Sequence, residues 1–388
     1  MRSSLITLGR DSSKRVRDES RMTQTAKFET CPATRGTVLP LAAAILLLSM
    51  GAAQAQDKVI LQRSSYLARV TVSGVVENYT GTEISIRTEN GEPVKTFPAA
   101  DVVEIQTVQV ESHTRGLQLL AEGDVEQALR ELEVAVKKEP RTWVRREILA
   151  ALVRAGLRRG DYVGAGTRFL AMIKSDPTTR QFRVIPLVWA PETIARETRS
   201  EALAWMQGKV EAGRLMGASL LYDDRVEGKE ARSVLKELSS NTDDRVRVLA
   251  QMQARREESL AGSPGRLQTA QWQQRIDEMP EDLRAGPYYL LGRVYAGRHD
   301  YELAAATLLW LPLVDDHDFR LAARACLEAG AALDRIGQHA EARTLYREVT
   351  VRFADTPFAS EAADLLQRGE QSLETSAGKN SEKSERGK

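Results

Sequence analysis

The chain has 388 residues, long for one compact domain, so several units or an elongated array are expected. Aromatics are 5 % of the residues while Ala, Leu, Arg and Glu dominate, a composition that favours helix. The formal charge is +1, but residues 1–55 hold eight of the 55 basic and four of the 54 acidic residues. That leaves 47 against 50, a formal −3, for 56–388, which argues against general attraction to nucleic acid or anionic lipid once the prefix is removed.

The first element is the apolar run Val38–Met50, "VLPLAAAILLLSM". It is shorter than the roughly 20 residues of a comfortable membrane span. Arg35 precedes it, and Ala53-Gln54-Ala55 follows with the small-x-small pattern of a cleavage site. The run reads as a secretory signal peptide cut after Ala55. The alternatives are an uncleaved N-terminal anchor and a buried core helix. Met22 gives a more ordinary leader than Met1, so either start is open. No Cys stands at a plausible cleavage site, which argues against a lipid anchor. Cys31 falls inside the leader and leaves Cys326 alone, so the mature chain has no internal disulfide framework and no Cys-based metal site.

Residues 56–110 alternate apolar and polar side chains. Val70, Val72 and Val76 do so in "RVTVSGVVENYTG", Ile84 and Ile86 in "TEISIRTENGEPVKTF", and Val103 and Ile105 in "AADVVEIQTVQV". Asn90-Gly91 supplies the positive φ angles of a tight hairpin turn. About five short strands, in a small open barrel or strongly bent sheet, are expected. The pattern resembles the small SH3-like or Sm-like barrels. A unit of this size is marginal alone, so it is expected to pack on the helical part.

From about Thr114 the period becomes helical. In "GLQLLAEGDVEQALRELEVAVKKEP", Gly116 and Ala128 mark where two antiparallel helices touch closely. Gly123 suits a left-handed cap, Asp124 caps the next helix and Pro140 stops it. Gly160, Asp161, Ala165, Phe169 and Pro177 repeat the marks 37 positions later. Gly292, His299, Ala304 and Leu308 repeat them again, and so do Gly330, Gly337, Ala342 and Tyr346, with 38 residues from Gly292 to Gly330. The stencil resembles the tetratricopeptide repeat (TPR), whose period is about 34. The resemblance covers roughly 109–180 and 285–370, and "RFADTPFASEAADLL" resembles TPR units of bacterial envelope proteins.

The block 181–284 reads as a further paired-helix array with weak HEAT-like phrases, "EAGRLMGASLL" and "DDRVRVLAQMQ". Pro186 and Pro191 predict a non-helical connection, and Pro264 a second break. The polar tail 371–388 reads as disordered. The expected fold is therefore mainly α, a TPR-like α-hairpin solenoid preceded by a small all-β domain. Its blocks are 1–55, 56–110, 111–180, 181–284, 285–370 and 371–388.

Little in the sequence suggests bond chemistry. His113, His299, His317 and His339 fit no metal spacing. "DDHD", Asp315–Asp318, reads as a solvated loop and helix cap, and Cys326 as a buried structural thiol. Gly164 and Gly166 lie inside a repeat helix, so "DYVGAG" is packing and not a phosphate loop. There is no nucleophile elbow or dinucleotide fingerprint. The reading is non-enzymatic, with no cofactor, metal or catalytic residue.

The TPR resemblance implies a concave groove lined by first helices. Carried over through the glycine marks, it points to Arg154 and Arg158, to Tyr289 and Arg293, and to Arg324, Leu327, Asp334 and Arg335. Arg pairs with carboxylates and Tyr packs on apolar side chains, so these suit capture of a protein or peptide partner. The basic-and-Asn set with which some TPR domains clamp a C-terminal carboxylate is not matched. The expectation is an exported scaffold or adaptor of the periplasm or envelope, with no nucleic acid partner and no membrane span after cleavage. The rivals are an envelope enzyme with an unrecognised active site, and RNA binding through an Sm-like barrel.

Overall fold

The computed structural model describes residues 56–62, 69–88, 93–261, 265–369 and 371. The leader with Cys31, the Asn90-Gly91 turn, Pro264 and the tail from 372 lie outside the described residues.

The alternating segment forms five strands: β1 (Asp57–Gln62), β2 (Arg69–Tyr79), β3 (Glu83–Arg87), β4 (Lys95–Pro98) and β5 (Val102–Gln106). They pair antiparallel in the order β4-β3-β2-β1-β5. β2 is shared along its length. Arg69–Gly74 pairs with β1, and Val75–Tyr79 pairs with β3. The sheet stays open, with β4 and β5 as its edges. One face is apolar: Val59, Leu61, Val76, Ile84 and Ile86 are buried.

The rest of the described chain is mainly helical. The first block holds α1 (Glu111–Glu122), α2 (Val125–Lys138), α3 (Thr142–Arg159) and α4 (Tyr162–Ser175). The middle holds α5 (Arg196–Met206), α6 (Glu211–Leu220), α7 (Gly228–Leu238), α8 (Asp244–Gln253), α9 (Arg256–Ala261) and α10 (Arg266–Asp277). The last holds α11 (Ala285–Gly297), α12 (Tyr301–Leu308), α13 (Trp310–Val314), α14 (Phe319–Arg335) and α15 (His339–Arg352), then helical residues 358–369.

The small residues of the stencil have physical work at two kinds of position. Gly123, Gly160 and Gly337 take φ of +91°, +77° and +80°, and His299 takes 63° at the equivalent turn. Only a left-handed residue closes these turns, and glycine does so without a Cβ clash. At the other kind of position, a Cβ on Gly116 would lie 2.7 Å from Leu132 Cγ. One on Gly292 would lie 2.6 Å from Leu308 Cγ, and one on Gly330 2.6 Å from Tyr346 Cε1. In each pair the large residue follows sixteen positions later, on the next helix. Asp124 and Asp161 cap α2 and α4, accepting from the amides of Gln127 (3.1 Å) and Gly164 (2.8 Å).

The sheet does not close its own core. Its buried face is completed by Leu119, Leu132, Trp143, Val144 and Ile148 from α1 to α3. Two of the polar bonds across the join end on the backbone of β2. Trp143 Nε1 donates to Val76 O at 3.1 Å, and Arg146 Nη2 donates to Tyr79 O at 2.7 Å. A second core runs from α3 to Ala362.

The connection carrying Pro186 and Pro191 is non-helical, as the prolines predict, but it is not a surface loop. Ile185, Leu187, Val188, Trp189 and Ala190 are buried. Buried backbone away from a helix needs outside partners. Val188 N donates to Ser219 Oγ at 2.9 Å, while Val188 O accepts from Gln253 Nε2 at 3.0 Å and Arg256 Nη1 at 2.9 Å. Arg256 is itself buried and paired with Asp223 at 2.6 Å.

Candidate binding groove

α3 packs against α14, so the first and last helical blocks meet. Two adjoining cavities lie along this region, of about 370 Å³ and about 290 Å³. Leu117 of α1 and Arg154 of α3 line both. The larger continues over Leu120, Arg158, Asp316, Phe319 and Arg352. The smaller follows β5 and the residues after it, from Val102 to Gln109, beside Trp143 and Arg180.

The arginines of the larger cavity differ in how they are held. Arg158 is fully engaged. Its Nε and Nη2 meet the Asp355 carboxylate at 2.5 and 3.2 Å, its Nη1 donates to Leu120 O at 3.0 Å, and its plane lies 3.7 Å from the Phe319 ring centre. Arg352 donates to Asp316 at 2.8 Å and to Pro312 O at 2.9 Å. Arg154 makes no hydrogen bond or ion pair among the described residues. Burial pushes its pKa down and Arg183 adds to this, while Asp316 and Glu147 oppose both. A half-buried cation with five donors is thus left between two cavities.

In the smaller cavity, Arg180 lies 4.1 Å over the Tyr79 ring, which meets Trp143 edge to face at 6.5 Å. His113 is 2 % exposed, and its Nδ1 has no partner among the described residues. Burial lowers its pKa, which keeps the imidazole neutral near pH 7.

The "DDHD" run does not converge on a centre. Asp315 pairs with His317 Nδ1, Asp316 with Arg352, and Asp318 caps α14 by accepting from Leu321 N at 3.0 Å. Burial raises the Asp318 carboxyl to about 6 against that amide, and nearby Glu192 adds to the rise. Among the described residues no three His, Cys, Asp or Glu side chains are placed to hold a metal ion. The residues lining the larger cavity bring no hydroxyl, thiol or amine to the His317–Asp315 pair. Cys326 is buried, its Sγ donates to Leu345 O at 3.7 Å, and burial pushes its thiol up to about 12, far from a reactive thiolate.

The other sequence-selected residues fall elsewhere. Tyr289 is fully buried and donates to Glu328 Oε1 at 2.8 Å. Arg293 reaches the Tyr289 hydroxyl at 3.2 Å and Glu328 at 3.3 Å, and Arg324 Nε meets Glu328 at 3.0 Å. Three of the eight residues therefore converge on one carboxylate that ties α11 to α14. Leu327 is in the core, and Asp334 accepts from Tyr346 at 2.7 Å and pairs with His339 at 3.0 Å. Arg335 is exposed. Arg154 and Arg158 are the two that share a cavity.

Sequence reasoning missed Glu328, Phe319, Arg352 and the place of the predicted strand β5 along a cavity. Glu328 carried a faint signal, its i,i+4 spacing from Arg324. The other three depend on segments far apart in the chain. Among the described residues no helix is long and apolar enough to cross a membrane. No protein-family model, curated protein or solved structure matches the chain.

Proposed function

We propose that the protein is an exported, non-catalytic adaptor of the cell envelope. In this reading a TPR-like α-hairpin solenoid carries a small SH3-like or Sm-like β domain, and holds a segment of a partner protein in the groove at Arg154. The observation that carries the reading is Arg154 itself, a cation with no ion pair among the described residues, between two cavities that also present Leu117, Leu120 and Phe319. Such a mix binds by charge and apolar contact. The glycine marks and their left-handed turns support the TPR-like part of the reading. The −3 charge of 56–388 weighs against RNA as the partner.

The test is crosslinking in intact cells with a C-terminally tagged chain, followed by fractionation and N-terminal sequencing. The expected product starts at Gln56 and carries a recurrent envelope protein. Arg154→Ala should reduce that crosslink at least tenfold, about the 1.4 kcal/mol of one charge-assisted bond. A crosslink indifferent to Arg154 would remove the groove from the account. An intact leader in the cytosol with RNA attached would overturn the export premise.

A further inference from the structure

The two edges of the sheet are built differently. Natural sheets guard free edges with short strands, Lys and Pro, because an open row of amides and carbonyls recruits other chains. β4 follows that rule, with four residues that include Lys95 and Pro98. β5 does not. Its sequence Val102-Val103-Glu104-Ile105-Gln106 has no Lys or Pro, and Val103 and Val108 are 48 % and 62 % exposed. Among the described residues it pairs with β1 on one side only. The smaller cavity runs along this same edge, and its other walls include Leu117, Val144 and Arg154.

We infer that β5 takes up an extended, acidic segment of the partner protein as an added strand, with one carboxylate of that segment on the Arg154 guanidinium. The inference rests on the adaptor reading above and specifies its ligand. Backbone hydrogen bonds to the strand edge supply affinity that is indifferent to sequence, and the cation supplies selectivity. The charge argument is local. Arg154 makes no ion pair among the described residues, whereas Arg180, the other cation of the cavity, pairs at 3.8 Å with Glu147 of the same lining. Glu104, the one acidic residue of β5, accepts from Gln106 Nε2 at 2.9 Å. A second copy of this chain is the poorer occupant. A cavity of about 290 Å³ beside α1 and α3 admits one extended chain at the usual ~4.8 Å strand spacing, not a sheet edge backed by its own helices.

The experiment uses the full chain and three acetylated, amidated octapeptides of alternating Val and Thr, each with one Glu, Gln or Lys at the same place. Blocked ends restrict the charge to the side chain. Fluorescence anisotropy gives affinity, and hydrogen exchange gives the location. The Glu peptide should bind at least tenfold tighter than the Gln peptide and slow amide exchange at residues 103–107. Arg154→Ala should erase that preference. Equal binding of the three peptides, no binding at millimolar concentration, or binding without protection of 103–107 overturns the inference, and the wild-type comparisons do so without relying on a variant that folds. If strand protection is missing while an envelope partner still crosslinks through Arg154, strand addition falls and the adaptor reading stands. If the crosslink is also indifferent to Arg154, both fall.

Discussion

A Cβ at Gly116 would lie 2.7 Å from Leu132 Cγ, whereas one at Gly337 would meet nothing within 4 Å. Gly116 is needed for close approach between helices, Gly337 for its φ of +80°. Alanine at either site should destabilise, by about 1–3 kcal/mol for overpacking and about 1–2 kcal/mol for left-handed strain. The two causes separate in double mutants. Leu132→Ala should cost less in the Gly116→Ala background than alone, because each relieves the other. Paired with Gly337→Ala, it should simply add. Urea midpoints decide this, and additivity in both pairs would remove the close-approach account. These residues were legible because helix, turn and contact all lie within one hairpin. Arg154 was selected by its register in the same stencil, but its lack of an ion pair among the described residues was not readable. That depends on where residues 102–109 and 316–319 come to rest around it.

At the scale of elements, the strand pattern was readable because alternation reports which face of a sheet is buried. What buries it was not. Val59, Val76, Ile84 and Ile86 close against Trp143, Val144 and Ile148, and two side-chain bonds from α3 end on the backbone of β2. Residues 56–110 expressed alone should therefore lack a core and stay unfolded. An amide correlation spectrum with native-like dispersion for that fragment would sink the claim of a shared core. The proline-bearing connection teaches the same lesson. Pro186 and Pro191 announced a break in helix, but Ser219, Gln253 and Arg256, which satisfy the backbone at Val188, lie 31 to 68 residues away with nothing local to mark them.

At the scale of the molecule, the groove exists because α3 and α14 meet, and Arg158 ties α3 to Phe319 of α14, to the turn after α15 and to α1. It joins Asp355 across 197 positions of sequence, stacks on Phe319 and donates to Leu120 O. A contact of that separation leaves no periodic trace, so a register reading could place Arg158 in a groove but not across a joint. Its side chain is 10 % exposed and that of Asp355 33 %, so the pair is worth more than a surface bridge and less than a fully buried one. Arg158→Ala should cost about 1–3 kcal/mol through the lost charge-assisted bonds. It should also speed hydrogen exchange at 316–325 while leaving β1 to β3 unchanged, because the sheet's core does not include α14. Asp355→Asn keeps the stacking on Phe319 and should give a smaller change in the same segment. If exchange at 316–325 is the same in wild type and Arg158→Ala, the joint is held by the apolar packing of α3 on α14 alone. The cavity wall at Phe319 would then owe nothing to this ion pair.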